Sequence, residues 1–151
     1  MRVKKLLSIC VIVFAMFIVT GCELTDSFSE KHDFRNFNWG DPDYLIKKEE
    51  TAQIRYDGDN RLMFWSSYMG YDCDVTYIFS DRGLKQGYIR ISSEEDKETT
   101  YVTLAQKLTE EYGEPYVKNK ISMKFNGDNN TSIYMSKDGE SVTLMFSEKK
   151  K

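Results

Sequence analysis

Three cysteines and one histidine are the residues of this chain best suited to nucleophilic or redox chemistry. Cys10 and Cys22 lie close to the N-terminus, which leaves Cys73 for the rest of the chain. Cys73 falls on the apolar side of an alternating segment, where a buried thiol has a raised pKa and reacts slowly. His32, the base that a Cys–His pair would need, lies in a polar stretch far from it in sequence. We therefore expect a structural cysteine and a solvated histidine.

Acidic loops raise the question of a Ca²⁺ site, because hard cations need several convergent oxygen ligands. The candidates are residues 57–60, residues 128–130, and the pair Asp72 and Asp74. None has the spacing of an EF-hand loop, and Asp, Asn and Gly are the ordinary residues of hairpin turns. The charged run 94–98 is typical of a solvated loop ahead of a helix. We expect no metal, no cofactor and no enzyme, since the familiar catalytic motifs are also missing from the sequence.

Aromatic residues are the remaining lead, with ten tyrosines and two tryptophans. Both sides of the segment 62–68 are apolar. Leu62 and Phe64 share one side, and three residues are predicted on the other, namely Met63, Trp65 and Met69. One side must pack on helices. The other is either covered as well, which is the simpler expectation, or forms an exposed patch that binds a protein or a glycan.

The N-terminus has the three zones of an export leader. Arg2, Lys4 and Lys5 provide a positive start, residues 6–19 form an almost unbroken apolar run, and small residues then lead to Cys22. The apolar run is shorter than the roughly 20 residues that a membrane-spanning helix needs. The pattern predicts a leader that is cleaved from the chain.

Residues 19–22 (Val-Thr-Gly-Cys) resemble the bacterial lipobox. The resemblance implies a diacylglyceryl thioether on Cys22, removal of residues 1–21, and attachment of the chain to a membrane outside the cytoplasm. An ordinary secretory leader with an incidental cysteine is the alternative. The organisation that follows is a flexible tether at 22–33, one domain at 34–147 and a polar tail at 148–151.

Charge narrows the classes of partner. Loss of the leader removes three cations and no acid, which takes the formal net charge from −3 to −6. That sign disfavours nucleic acid and electrostatic docking on anionic lipid. A membrane partner would be reached through the lipid on Cys22 rather than through basic residues.

Alternation and turn signals predict the element order α-β-β-β-β-α-β-β-β. Asp41 and Pro42 are expected to cap and begin a helix at 42–49, and Gly113 to end a second helix at 100–112. Strands are predicted at 52–56, 62–68, 72–80, 84–92, 120–125, 131–136 and 141–146. We expect an α+β domain with an antiparallel sheet and both helices on one face. The order can be divided into two imperfect units, each a helix followed by a meander.

Three stretches together resemble small uncharacterised lipoproteins of clostridia-like bacteria, namely residues 34–40, residues 77–79 with 83–84 across a hairpin, and residues 108–115. The plan of helix and meander is similar, more distantly, to the β-lactamase-inhibitor-like fold and to small outer-membrane assembly lipoproteins. Neither resemblance implies catalytic residues. The expected function is a lipid-anchored module that binds a protein or an envelope component. The alternative is a structural or assembly factor of the envelope.

Overall fold

The computed structural model describes residues 31–92 and 96–149. The predicted leader, Cys22 and most of the predicted tether lie outside the described residues. Two helices and eight strands follow in chain order, namely α1 (Asp43–Glu49), β1 (Gln53–Gly58), β2 (Arg61–Tyr68), β3 (Tyr71–Ser80), β4 (Gly83–Ser92), α2 (Lys97–Tyr112), β5 (Val117–Lys118), β6 (Ser122–Asn126), β7 (Thr131–Asp138) and β8 (Ser141–Glu148). The predicted α+β class is confirmed, with β5 as an additional short strand.

The strands form one antiparallel sheet in the order β1-β2-β3-β4-β8-β7-β6-β5. Each half of the sheet is therefore a four-stranded meander preceded by a helix. The last strands of the two meanders, β4 and β8, pair antiparallel, with Ile89 opposite Leu144. Antiparallel pairing of equivalent strands places a pseudo-twofold axis between them, normal to the sheet. This confirms the division into two helix-and-meander units.

The core lies on one face of the sheet. In β3 the alternation predicted from the sequence holds, since Cys73, Val75 and Tyr77 are buried. Tyr77 occupies the centre of the first unit, where three rings contact it edge-on at centroid distances of 5.3, 5.7 and 5.7 Å, namely Phe34, Phe37 and Phe64. Such edge-to-face contacts add to the free energy of burial. Both helices lie on this face, because their apolar residues belong to the same core cluster.

The segment before α1 is fastened to the β3–β4 hairpin. Gly40 donates its N–H to the carbonyl of Leu84 at 2.9 Å, and Leu84 donates to the carbonyl of Asp41 at 2.8 Å. Gly83 has φ of +93°, and a Cβ built there would lie 2.1 Å from the Gly40 carbonyl oxygen. Only glycine fits this position, because the backbone is left-handed and the approach is too close for a side chain.

The predicted cap of α1 is wrong. The N-cap residue is Pro42 and no side chain caps the helix. The Asp41 carboxylate instead accepts the N–H of Asn38 at 2.8 Å. Asp41 therefore stabilises the turn before the helix rather than the free amides of its first turn.

The ends of the domain extend further than predicted. Asp33 accepts the N–H of Trp39 at 2.8 Å, and His32 is half-buried with an inaccessible Nδ1, so the last part of the predicted tether packs on the domain. At the other end, Lys149 donates its N–H to the carbonyl of Asn130 at 2.8 Å. None of the helices in residues 31–92 and 96–149 combines the length and the apolar character needed to cross a bilayer.

Candidate functional site: the open face of the sheet

Both helices pack on the core face of the sheet, and we call the opposite face, on which Tyr56 and Trp65 are exposed, the open face. Its side chains alternate with core side chains along each strand. Strand register aligns them in rows that cross the sheet. The central row contains, in spatial order, Tyr56, Met63, Thr76, Tyr88, Met145, Tyr134, Lys124 and Val117.

The central row crosses the sheet from one edge strand to the other, and its seven steps correspond to about 34 Å at the usual spacing of about 4.8 Å. Its residues from Tyr56 to Tyr134, with Thr76 between them, form an apolar stripe that ends at Lys124. Tyr56 is 45% exposed. Met63, Tyr88, Met145 and Tyr134 are half-buried between the side chains of neighbouring strands. The stripe is therefore held in place by the sheet while its outer surface faces solvent.

Two arginines hold aromatic rings at the β1 end of the open face. A β-bulge between Ile54 and Tyr56 accommodates Arg55, whose guanidinium lies 4.2 Å from the ring centroid of Trp65. The same guanidinium contacts the Asp74 carboxylate at 3.2 Å. Arg61 lies 4.4 Å from the ring centroid of Tyr56. These cation–π contacts favour the observed orientations of the two rings, by about 0.5–1 kcal/mol each at an exposed site.

Towards the other end, the open face becomes richer in hydroxyl groups. The rows beside the stripe contribute Ser132, Ser136, Thr143 and Ser147. Arg90 donates from Nε to the Ser141 hydroxyl at 3.3 Å. Lys124 lies 5.8 Å from the ring centroid of Tyr134. The open face thus combines an apolar centre with hydrogen-bonding groups around it.

The structure brings together two of the three residues predicted for a binding face. Met63 and Trp65 lie on the open face, and Trp65 is 37% exposed. Met69 lies in the β2–β3 turn with φ of +50°, and its side chain packs against the core. Trp65 remains 37% exposed although the Arg55 guanidinium lies over its ring, so this side of the strand is not core, contrary to the simpler expectation.

The sequence reasoning missed Tyr88, Met145 and Tyr134. Their alternation with Ile89, Leu144 and other buried residues was the available signal. That signal shows which side of each strand they occupy. It does not show that β4 pairs with β8, and this pairing alone joins them into one row with Met63.

Cys73 is buried, as expected for a structural cysteine. Its side chain is 1% exposed, and burial raises the pKa of the thiol from 9.0 to about 11. A thiol that is protonated and inaccessible at neutral pH is a poor nucleophile.

A buried ion pair lies near Cys73. Glu50 contacts Arg35 Nε at 3.4 Å and accepts the Tyr77 hydroxyl at 2.6 Å. Burial, together with this hydrogen bond, raises the pKa of Tyr77 far above its ordinary value. The three groups satisfy one another's polar atoms, which fits a structural role.

The acidic loops predicted from sequence occupy separate places. Residues 57–60 lie at the β1–β2 hairpin and residues 128–130 at the β6–β7 hairpin, while Asp74 faces Arg55. Within the described ranges, no group of three or more His, Cys, Asp or Glu side chains could hold a metal ion.

A cleft of about 490 Å³ lies between α2 and the chain around β5. Its apolar wall includes Ala105 and Met123, and its rim includes Glu110 and Lys118. The hydroxyl of Tyr101, which also lines it, is inaccessible and has no hydrogen-bond partner among the residues that the structure describes.

The described residues define an α+β domain in which one face of an eight-stranded sheet is packed and the other is open. Comparisons with models of protein families, with curated proteins and with solved structures gave no match for this chain.

Proposed function

We propose that this protein is a lipid-anchored, non-enzymatic binding module that holds a protein partner on its open face, outside the cytoplasm. The observation that carries the proposal is the composition of that face. Tyrosine, tryptophan, methionine and arginine occupy its central row and its β1 end, with serine and threonine in the rows around them.

The composition matches the energetics of protein interfaces. Interface cores are enriched in aromatic residues, Met and Arg, and depleted in Lys, Glu, Asp and Ser, so the match is confined to the central row and the β1 end of the face. Trp, Tyr and Arg are also the residues whose truncation costs most in binding free energy. Rings fixed by strand register and by Arg55 and Arg61 lose little conformational entropy on binding, so more of the contact energy remains as affinity.

The lipid anchor is supported by residues 19–22, which resemble the lipobox. Two acyl chains on Cys22 would give stable attachment, since one chain alone binds a membrane only marginally. A module confined to a membrane surface meets partners there at a raised effective concentration. Moderate affinity of the open face would then be sufficient.

The anchor is tested by metabolic labelling with palmitate in the native host. We expect label on the wild-type protein and on the matched control Cys10→Ala, and none on Cys22→Ser. Cys22→Ser should also leave the membrane fraction. A Cys22→Ser protein that still carries label and still sediments with membranes would contradict the anchor.

The open face is tested by replacing single residues with a photo-crosslinking phenylalanine analogue and irradiating whole cells. Trp65 and Tyr134 sample the two halves of the face, while Tyr44 and Tyr116 are exposed controls elsewhere. We expect one crosslinked species of the same mass from Trp65 and Tyr134, and none from the controls. The additional substitution Met63→Asp should abolish it, because a charge would be forced into the apolar stripe. Equal crosslinking at all four positions would refute the proposal.

A further inference from the structure

The charges of the open face differ in sign from those of the chain. The whole chain contains 24 acidic and 21 basic residues. On the central row and the rows on either side of it, the described charged residues are four cations and one acid, namely Arg55, Arg61, Arg90, Lys124 and Asp74. Basic side chains are thus concentrated in these three rows of an acidic protein, while the next row of the face contributes Asp72 and Asp138.

Three of these cations, Arg61, Arg90 and Lys124, form no salt bridge among the residues that the structure describes. Asp74 contacts Arg55 and also lies directly opposite Arg90 in the β3–β4 register, whereas Arg61 and Lys124 have no acid directly opposite them. All three are exposed. A partner that covered them with neutral groups would remove their water without replacing it, which costs free energy. Carboxylates placed opposite them would offset that cost.

The three cations surround the middle of the apolar stripe. Arg61 and Arg90 are two strands and four residues apart, which corresponds to about 16 Å. Arg90 and Lys124 are three strands and two residues apart, again about 16 Å. Tyr88 and Met145 lie within this triangle, at the seam between β4 and β8. The arrangement is that of an apolar centre with a cationic rim.

We infer that the partner is a protein whose contact surface is acidic, with an apolar projection that packs on Tyr88 and Met145 and with carboxylates that face Arg61, Arg90 and Lys124. This rests on the proposed function of the open face. An anionic glycan would match the cations but not the methionines, because thioether side chains are suited to irregular apolar partners. The apolar stripe therefore favours an acidic protein surface.

The test uses the full chain in detergent and a phage-displayed library of random cyclic peptides. A selected peptide is kept for analysis if it binds the wild-type protein and does not bind the variant Tyr88→Ala/Met145→Ala. We expect the retained peptides to be enriched in Asp and Glu around an aromatic or aliphatic residue. A synthetic peptide from this set should bind at least about tenfold more weakly to Arg61→Gln/Arg90→Gln/Lys124→Gln, with a flatter salt dependence.

The matched control removes three exposed cations that lie elsewhere, Lys48→Gln/Lys118→Gln/Lys120→Gln. It should bind the peptide as the wild type does. Circular dichroism melting of each variant shows that the domain remains folded.

The other outcomes separate this inference from the proposed function. Peptides that require Tyr88 and Met145 but show no acidic enrichment would overturn the inference and leave the binding face in place. Failure to select any peptide that depends on Tyr88 and Met145 would count against both. Polygalacturonate tests for an anionic glycan. If it binds the wild type and Met63→Ala/Met145→Ala equally but does not bind Arg61→Gln/Arg90→Gln/Lys124→Gln, the surface binds an anionic glycan. That result would overturn the acidic protein partner.

Discussion

Cys73 illustrates how burial alone determines the chemistry of a residue. Its pKa rises from 9.0 to about 11, chiefly because the charged thiolate would lose its hydration. As the pH increases, an unfolded chain therefore releases this proton first. The contribution of the protonated Cys73 thiol to the free energy of unfolding is therefore complete below about pH 9 and is lost between about pH 9 and pH 11. Over that range the free energy of unfolding falls by no more than about 1.4 kcal/mol per pH unit.

This predicts a pH-dependent difference between the wild type and Cys73→Val. Urea unfolding under reducing conditions should show that the free energy of unfolding of the wild type falls relative to the variant from pH 9 upwards. Buried tyrosines titrate in both proteins and cancel in the comparison. A difference that stays constant from pH 8 to pH 11 would show that the thiol is not desolvated.

At the scale of elements, the sequence predicted what local patterns determine. Both helices, seven strands and the confinement of helices to one face follow from periodicity and turn residues. Two local details were wrong for physical reasons. Asp41 found a nearer backbone donor in Asn38, and β5 is a two-residue strand next to Pro115, too short for any alternation to be visible.

The open face was less predictable than the elements that form it. Met63 and Trp65 could be assigned to one side of β2 by alternation alone. Their alignment with Tyr88 and Met145 depends on the pairing of β4 with β8, which are far apart in sequence. Pairing between strands that are far apart in sequence is part of the tertiary structure, and local sequence patterns do not predict it.

Gly87 in β4 provides a test of whether the segment before α1 packs against β4 through Phe34. A Cβ at this position would lie 2.2 Å from the ring of Phe34. Gly87→Ala should therefore destabilise the domain by about 1–3 kcal/mol through overpacking. Phe34→Leu should relieve part of that cost, so the double variant should lose less stability than the sum of the single variants.

Chemical denaturation of the four proteins measures this coupling. Lys85→Ala, at an exposed position of the same strand, is the control and should change stability by less than about 0.5 kcal/mol. Strict additivity of Gly87→Ala and Phe34→Leu would mean that the ring does not lie on β4.

At the scale of the whole described domain, the two units share one fold but differ in how they are covered. α1 has 7 residues and α2 has 16. The first unit therefore relies on the preceding segment, whose Phe34 and Phe37 complete the core. That segment also reaches the second unit, since Trp39 donates from Nε1 to the Thr131 hydroxyl at 3.1 Å. The two units therefore share one continuous core across the pairing of β4 with β8.

The interdependence of the units predicts one cooperative unfolding transition. Trp39 contacts both units, whereas Trp65 lies in the first unit, so in a Trp39→Phe background fluorescence reports that unit and far-UV circular dichroism reports the whole sheet. The two signals should have the same midpoint in denaturant. Leu144→Ala, at the seam, should shift both midpoints together by an amount equivalent to about 2–5 kcal/mol, and Val102→Ala, at an exposed helix position, should shift neither. If fluorescence and dichroism separate in Leu144→Ala, the units fold independently and the seam between β4 and β8 does not unite them.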